Sequence, residues 1–571
     1  MASIDSVPSA AINDTRRTKH GLDRDYIYGR WGPYQRLQLA FTYFHLLETT
    51  FQLMIGVFIA YSPGFQCASS DHKNQSLTNT SFGTTYETCD KKMYRNGSIR
   101  HGLKSVQGCF EYVYVLKKHS TIVTEFDLVC DQAYLAELIQ AVLMAGQIAG
   151  AVFVSPVCDR MGRKTVHLSC NLLTLIIGIS AAFAPNYTTL VILKFILGVL
   201  QQGMVMSGVV LTLEIFPERI RFHAAIWGAF VTSSGLVVMT GIAYLLQNFS
   251  WRYLQITLSC FSLLSLIQYW TQDESLRWLI VNGKMKRIEK ILLKVAKWNK
   301  LDYEDLMQNV KHKMATVRDG KEETNETLLK NENTRYKAEK YSIKTILHTR
   351  SILIISFMMC FIWVTDNLTY FGLTLMATSL AGNRFLNFFF SAFVEYVSLT
   401  LNIVMLHRLG RISTLIVFHS VAGISLTLAT VLNYFTDSDS SLTTLSIIAT
   451  LTGKMAMTGS ISVLYLFTPE LFPTNIRNFG MGMCSTVARI GALISSFAGT
   501  LARHTPWAPG AVFSVMCFVV IVIVLYLPET RGIDLPQTLE EVKIWYAENS
   551  GIKLGKYKRK KANQDLETVV P

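Results

Sequence analysis

The octapeptide Glu470-Leu-Phe-Pro-Thr-Asn-Ile-Arg477 decides the fold, because the chain contains a near copy of it, Glu214-Ile-Phe-Pro-Glu-Arg-Ile-Arg221. The copies lie 470 − 214 = 256 positions apart. Each follows one long apolar run and precedes another, so each is a short polar joint between helices, and its proline ends the first helix. Three joints in register indicate a duplicated half. The other two pairs are Asp159–Arg163 with His407–Arg411 (407 − 159 = 248) and Glu274 with Glu529 (529 − 274 = 255).

The composition is that of a membrane protein. Of the 571 residues, 50% are apolar and only 16% are charged, which no soluble fold of this size requires. The net charge of +14 is also found in proteins that bind nucleic acid. Here the basic residues lie between apolar runs and not on one clustered face, so they are better explained by membrane topology. We expect a lipid bilayer and no nucleic acid as the partner.

Twelve apolar runs are each long enough to cross a bilayer, which takes about 20 helical residues. Residues 1–36 are polar and basic without a signal peptide, and residues 37–272 hold the first six runs. A polar linker at 273–350, partly helical around Met285–Trp298, precedes six more runs at 351–528 and a basic tail at 529–571. The runs cover about 37–62, 133–155, 166–184, 188–213, 223–246, 251–271, 351–375, 384–405, 413–435, 442–467, 479–502 and 508–527.

A long polar insertion at 63–131 follows the first run. It contains four cysteines and three Asn-x-Ser/Thr sequons, and disulfides and glycans both require the outer side of the membrane. We therefore expect an extracellular loop, and the sequence leaves all three possible disulfide pairings open. The residues are Cys67, Cys89, Cys109 and Cys130, and Asn74, Asn79 and Asn96.

The orientation of the chain follows from the cations in its short loops. The joints on the side of the N-terminus carry most of the arginines, whereas the opposite loops near Asn186, Asp437 and Asp439 carry almost none. By the positive-inside rule both termini are cytoplasmic. The cations in the joints are Arg160, Arg163, Lys164, Arg219, Arg221, Arg408, Arg411 and Arg477.

Twelve spans in two similar halves, with basic turns after spans 2 and 8, resemble the major facilitator superfamily. Asp159-Arg-Met-Gly-Arg-Lys164 is similar to its signature loop, in which glycine permits a tight turn and arginines bind acids and helix ends. The resemblance implies an all-α alternating-access carrier with a substrate site near the midplane. It also implies gating roles for Asp159, Arg160, Gly162, Arg163, Glu214, Arg221, Arg408, Gly410, Arg411, Glu470 and Arg477.

Further motifs narrow the resemblance to one family. The large outer loop, Asp273-Glu-Ser-Leu-Arg-Trp-Leu279, the joint Glu470–Arg477 and Leu527-Pro-Glu-Thr530 resemble the organic cation, organic anion and carnitine transporter family over about residues 30–550. Leu276 departs from the usual proline of that family, which affects one loop only. Sugar porters share the basic turns and the Pro-Glu-Thr ending but lack the large first loop.

Ionisable residues inside the spans are candidates for the substrate site, because such a side chain costs several kcal/mol in lipid unless it faces a pore or a partner. Glu395 and Arg489 lie nearest the middle of their spans. The set comprises His45, Glu48, Glu137, Lys194, Asp366, Glu395, Lys454 and Arg489.

Spans 7 and 8 point to a cationic substrate. Ser391-Ala-Phe-Val-Glu395 resembles the cation and carnitine branches of the family, in which this carboxylate lines the central cavity. Trp363, Asp366 and Tyr370 share one helical face, and aromatic rings attract quaternary ammonium groups by about 0.5–2 kcal/mol. The alternatives are ordinary packing for the rings and a structural ion pair for Asp366, with Lys454 as a partner.

Span 11 points to an acidic group on the substrate. Arg489 occupies a position that is Arg in the anion and carnitine branches and Asp in the cation branch. The anion branch usually adds a Lys where this chain has Leu399, and Ser462 stands where the cation branch often has a carboxylate or amide. One charge of each sign, Glu395 and Arg489, is the combination of the carnitine-like branch. The alternative is that these two residues pair with each other as a lock between the halves.

We therefore expect a plasma-membrane carrier for small organic cations and zwitterions, carnitine-like betaines included. An organic anion exchanger that uses Arg489 and Lys454 is the first alternative. A non-transporting receptor on a carrier fold is a weaker one, because a receptor has no use for gating joints in both halves. No metal cluster, nucleotide loop or nucleophile motif occurs, so we expect no enzyme, no cofactor and no metal. The sequence leaves open whether sodium or protons drive transport.

Overall fold

The computed structural model describes residues 32–67, 112–216, 218–311, 314, 349–435, 440–473 and 476–531. In this part of the chain two groups of six helices follow one another. Spans 1 to 6 are Pro33–Met54 with Gly56–Ile59, Tyr134–Met161, Arg163–Ala182, Tyr187–Ile215, Glu218–Leu245, and Trp251–Cys260 with Phe261–Ile267 and Gln268–Thr271. Spans 7 to 12 are Arg350–Met376 with Ala377–Ser379, Arg384–Leu409, Arg411–Phe435, Ser440–Leu471, Arg477–Ser495 with Ala498–His504, and Ala508–Val524.

Among the described residues, nine helices are long and apolar enough to cross a membrane, judged by length and composition alone. The other three spans have identifiable peculiarities. Span 1 buries many polar side chains, span 6 changes to a 3-10 helix at Phe261–Ile267, and span 12 has 17 residues. The predicted twelve-helix architecture is confirmed, and the sequence analysis missed the breaks in spans 1, 6 and 11.

Local sequence signals begin several of these helices. Asn186 and Asn383 cap spans 4 and 8, because their side chains accept hydrogen bonds from the Thr189 and Phe385 amides at 2.8 and 2.9 Å. Pro33 occupies the first turn of span 1, where its missing N–H costs nothing. Because these caps satisfy backbone groups at the helix ends, the apolar part of each helix can lie in the bilayer.

The three largest apolar clusters of the described residues hold most of the helices together. One fills the outer part of the N-terminal half and continues across to Phe385 and Phe388 of span 8. A second fills the C-terminal half, around Trp363 and Phe467. The third lies beside the basic joints, at the end predicted to be cytoplasmic, where Met285–Asn299 buries Leu292 against the helix Leu276–Val281. The halves therefore share apolar packing at their outer ends.

The described part of the outer loop is small but ordered by polar contacts. Strands Phe65–Cys67 and Tyr112–Tyr114 pair antiparallel, and Ile122–Glu125 and Cys130–Gln132 are short helices before span 2. Burial would raise the pKa of the Glu125 carboxyl, but hydrogen bonds from Arg252 (2.5 Å) and Trp251 (2.6 Å) outweigh it and lower the pKa.

The predictions about disulfides and glycans fall mostly on other residues. Cys130 is disulfide-bonded, and Cys67 ends the first strand. Cys89, Cys109, Asn74, Asn79 and Asn96 lie outside the described residues, as do residues 315–348 of the linker and nearly all of the basic tail.

Candidate transport site

The basic joint after span 2 is built around one carboxylate. Glu274, just after span 6, accepts hydrogen bonds from the backbone amides of Arg163 and Lys164 at 2.9 and 3.1 Å, and so caps span 3. Gly162 precedes them with φ = +97°, and a Cβ there would lie 2.5 Å from Glu274 Oε2. Only glycine fits both the backbone angle and the close carboxylate.

The joint after span 8 repeats this arrangement. Glu529, just after span 12, accepts from the amides of Arg411 and Ile412, each at 3.0 Å. Gly410 has φ = +88°, and a Cβ there would lie 3.0 Å from Glu529 Oε2. The sequence repeat therefore corresponds to a repeated three-way contact between the joint, the end of the sixth helix of its half, and the next helix.

Arginines tie each joint to the end of the fourth helix of its half. Arg163 forms ion pairs with Asp159 at 3.1 Å and Glu214 at 3.4 Å. Arg411 binds Glu470 through two hydrogen bonds of 3.0 and 2.8 Å. The remaining residues predicted to act in gating lie apart from these pairs. Arg160 is exposed, and the backbone carbonyl of Arg408 accepts a hydrogen bond from Arg531. The side chain of Arg221 is outside the described part, and Arg477 Nε has no hydrogen-bond partner.

An ion pair and a cation–π contact join the halves at their outer ends. Glu137 of span 2 forms an ion pair with Arg503 at the end of span 11, and Thr500 donates to the same carboxylate at 2.5 Å. The guanidinium of Arg384 lies 4.3 Å from the ring centroid of Tyr61. These contacts, with the shared apolar cluster, close the described interface on the outer side.

Glu395 lies at mid-depth in span 8 and already has a cationic partner. Its carboxylate accepts from Ser233 of span 5 at 2.8 Å and from Tyr370 at 2.9 Å, and lies 3.2 Å from Lys454 Nζ. Lys454 also lies 4.4 Å from the centroid of the Tyr370 ring. The acid and the lysine are both nearly fully buried. The hypothesis that Glu395 pairs with Arg489 is therefore wrong, since Lys454 is its counter-ion.

Arg489 differs, because its partners are uncharged. Its Nη atoms donate to Gln202 Oε1 of span 4 at 2.6 Å and to the Ser485 carbonyl at 2.6 Å, while Nε is buried without a hydrogen-bond partner. Tyr465, its electrostatic neighbour, exposes 53% of its surface although it lies within span 10. The guanidinium thus lies beside an exposed side chain and has hydrogen-bonding capacity left.

The other predicted substrate residues contact neighbours inside the C-terminal half. Asp366 accepts from His419 at 2.9 Å and Ser460 at 2.6 Å, so the suggested pairing with Lys454 is wrong. Trp363 donates to Thr468 of span 10 at 2.9 Å. Ser462 donates to a carbonyl of its own helix. The structure brings Tyr370 to Glu395 and leaves these three side chains in other contacts.

Several site residues were missed because only the folded chain reveals them. Ser233 and Gln202 reach the site from the N-terminal half, and Tyr465 lies beside Arg489. Of these residues, only Gln202 could have been noticed in the sequence, because it belongs to a pair of glutamines within an apolar span. Among the described residues, no group of three or more His, Cys, Asp or Glu could hold a metal ion.

Comparison with known proteins identifies the family. The model of the family "Sugar (and other) transporter" matches residues 46–542. An organic cation transporter protein of Drosophila melanogaster is 30% identical over 90% of this chain and 92% of its own. This chain belongs to the organic cation and anion transporter family of the major facilitator superfamily.

Other relatives in this transporter family differ in the substrates their names give. Organic anion transporter 3 of Oryctolagus cuniculus is 29% identical over 93% of this chain and 94% of its own. Solute carrier family 22 member 3 of Mus musculus is 33% identical over 77% of this chain and 74% of its own. The family therefore establishes a multi-pass membrane transporter of organic ions, and leaves the sign of the substrate's charge to the site.

Solved structures show the same fold. The proton:xylose symporter XylE, bound to 6-bromo-6-deoxy-D-glucose, is similar with a TM-score of 0.57 and 16% identity, over 90% of this chain and 99% of its own. A partially occluded inward open conformation of XylE from E. coli gives a TM-score of 0.58, at 16% identity over 88% of this chain and 100% of its own. At this identity the similarity concerns architecture only.

Proposed function

We propose that the protein is a plasma-membrane carrier that moves small organic zwitterions by alternating access. Its substrates would carry a quaternary or protonated amine and a carboxylate, as betaines such as carnitine do. The family supports organic-ion transport in general. The charge preference is supported by one observation: buried Glu395 has Lys454 as its counter-ion, whereas the partly buried Arg489 has only uncharged partners.

The substrate carboxylate would bind Arg489. The guanidinium has a donor without a partner, and its neighbour Tyr465 is 53% exposed. A planar guanidinium binds carboxylates through paired hydrogen bonds, and a bond to a charged group contributes about 1.5–3 kcal/mol. Binding would thus give the guanidinium the counter-charge that the described protein residues do not provide.

The substrate amine would take the place of Lys454. The lysine ammonium lies 3.2 Å from Glu395 and 4.4 Å from the Tyr370 ring centroid, which is the environment an organic ammonium prefers. A simple cation that entered here would leave Arg489 uncompensated. We therefore expect simple cations to bind more weakly than zwitterions of the same size.

Alternating access is supported by the contacts at the two ends of the halves. The described interface is closed by Glu137 and Arg503 on the outer side, while the ion pairs of Arg163 and Arg411 stay within their own halves on the inner side. We propose that the gating joints keep each half rigid while the outer contacts break. Both termini would lie in the cytoplasm, with the basic joints.

Uptake into cells tests the substrate class. Cells that express the chain would be given labelled carnitine, tetraethylammonium and an aryl carboxylate separately, with surface expression measured in parallel. We expect carnitine uptake to exceed tetraethylammonium uptake. Accumulation of tetraethylammonium with no uptake of carnitine would contradict the zwitterion proposal.

An organic anion exchanger is the second candidate, and one observation favours it. The nearby charges of Glu395, Lys454 and Arg489 sum to one net positive charge, which a monoanion would neutralise. Uptake of the aryl carboxylate alone, stimulated by the same compound preloaded inside the cells, would establish this alternative.

A further inference from the structure

Span 1 carries a polar stripe that the transport site does not use. Gln38, Thr42, His45, Glu48 and Gln52 are spaced by 4, 3, 3 and 4 residues, which places them on one face of the helix. Each is at most 1% exposed. The stripe therefore points into the N-terminal half and away from lipid. Burying an apolar face at these positions would cost less free energy than burying polar side chains.

Glu48, near the middle of this stripe, is a buried acid among neutral groups. Its carboxyl accepts from the Ser262 hydroxyl of span 6, and the Asn171 amide of span 3 lies beside it. None of the described cations forms an ion pair with it. An ionised carboxylate at this depth would be strongly destabilised, so the contacts favour the neutral, protonated acid.

Two imidazoles provide acceptors for this proton. His45 lies about one turn below Glu48 on the same face, and its ring centroid is 4.9 Å from that of His167 in span 3. Each Nδ1 contacts a backbone carbonyl, of Thr42 and Met204 respectively, so Nδ1 carries the hydrogen. His45 Nε2 is buried without a hydrogen-bond partner and so keeps a free lone pair, whereas the His167 ring also contacts the side chain of Gln268.

Polar contacts continue from this cluster to the cytoplasmic surface. Gln272 donates to Thr42 at 3.4 Å, and Gln38 bonds Asp273, whose carboxylate lies 2.7 Å from Lys294 Nζ. Lys294 is about one third exposed, so the stripe reaches solvent on this side.

The opposite end of the stripe is closed. Gln52 accepts from Gln255, which in turn accepts from the buried Lys194 of span 4 at 3.0 Å. Beyond Gln52 the helix continues with Ile55 and Phe58 in the outer apolar cluster. The titratable groups around Glu48 are thus His45 and His167 on the cytoplasmic side, Lys194 toward the outer side and Asp273 at the end of span 6, while Ser262 is the hydroxyl that span 6 presents to it.

We propose that Glu48 binds a proton that drives transport, and that this stripe conducts the proton to the cytoplasm. In the release step the O–H bond of the Glu48 acid breaks and an N–H bond forms at an imidazole Nε2. The imidazolium then gives the proton to water at the cytoplasmic end. In this conformation no described cation pairs with the ionised carboxylate, so losing the proton destabilises the conformation. Proton release is therefore linked to the conformational change of the carrier, after which the next proton enters from outside.

Purified full-length chain in liposomes tests the proposal, with carnitine as the probe and the membrane potential clamped. The proposal depends on the proposed function only for that probe; if carnitine is not transported, tetraethylammonium or the aryl carboxylate that is transported replaces it. With the outside more acidic by about one pH unit, a one-proton symport accumulates substrate about ten-fold inside. The wild-type chain should show this accumulation, and a wild-type chain indifferent to the gradient would overturn the proposal.

Glu48→Gln is the decisive variant, because the amide has the shape of the protonated acid. It should keep substrate exchange at equal pH and lose the accumulation driven by the gradient. Glu289→Gln is the control, because it makes the same change at an exposed acid of the helix Met285–Asn299, and it should keep gradient-driven accumulation. Gradient-driven accumulation in Glu48→Gln equal to that of the wild type would refute the role of Glu48.

A measurement on the wild type alone covers the case in which the variant fails to fold. Infrared spectra at neutral pH, with glutamate labelled by carbon-13, should contain the carbonyl band of a buried protonated glutamic acid. The absence of any label-sensitive carboxylic acid band would show that Glu48 is ionised and would overturn the proposal.

Discussion

Replacing Lys454 by Met should convert the site into one that prefers simple cations. In the structure the ammonium lies 3.2 Å from Glu395 and over the ring of Tyr370, with both charges almost fully buried. Lys454 therefore occupies the position that an incoming cation needs. The methionine fills a similar volume without the charge, and leaves the carboxylate to the substrate.

The size of the effect follows from the distance. At an effective dielectric constant of about 20, two unit charges 3.2 Å apart attract each other by about 5 kcal/mol, and breaking a buried pair costs about 3–5 kcal/mol once desolvation is included. A substrate ammonium needs to recover only about 1.4 kcal/mol of this to bind ten-fold more tightly. We therefore expect the KM for tetraethylammonium to fall at least about ten-fold in Lys454→Met.

The assay is the concentration dependence of tetraethylammonium uptake, normalised to surface expression. Lys194→Met is the matched control, because Lys194 is equally buried but bonds only the neutral amide of Gln255. Its KM should match the wild type. If Lys454→Met raised the KM as much as Glu395→Gln does, Lys454 would be part of the cation site and not its occupant, and the reasoning would be refuted.

Three further predictions concern the joints, the outer contacts and the outer loop. Gly410→Ala should lower the free energy of unfolding of the purified protein, measured by thermal denaturation, by about 1–2 kcal/mol. Gly482→Ala is the control, because the space around its Cβ is open, and it should leave this free energy unchanged. Equal effects of the two substitutions would contradict the turn argument. Exchanging the charges of Glu137 and Arg503 should restore uptake that either single reversal abolishes, and failure of the exchange would argue against a pair. Since the folded-state pKa of Glu125 is lowered, its contribution to stability is present above about pH 4.5 and lost as the pH falls through the folded value; melting curves of Glu125→Gln should lack this loss, and a wild-type-like loss would assign it elsewhere.

Much of the fold could be predicted because membrane helices are specified by local composition. Apolar runs give the spans, and the repeat of Gly162 with Glu274 at Gly410 with Glu529 has the same geometry in both halves. Helix breaks were not predictable, because the 3-10 segment of span 6 is as apolar as a regular helix. Its backbone is set by packing.

The site could be predicted in part, because charged residues in spans are rare enough to enumerate. Their partners could not be predicted, since side chains hundreds of residues apart meet only after folding. Lys454 pairs with Glu395 and not with Asp366, and Asp366 is bonded by His419, which drew no attention as a histidine in an apolar run. The periodic stripe around Glu48 was visible in the sequence, but only burial shows that it faces protein.

The central claim is that Arg489 binds the carboxylate of the substrate. The most direct test is the uptake of carnitine and of choline by Arg489→Gln, because choline lacks the carboxylate. Losing a charge-assisted bond should raise the KM for carnitine by about ten-fold or more and change that for choline by less than about two-fold. Equal losses for both substrates, at normal surface expression, would show that the guanidinium holds the structure and does not bind the substrate.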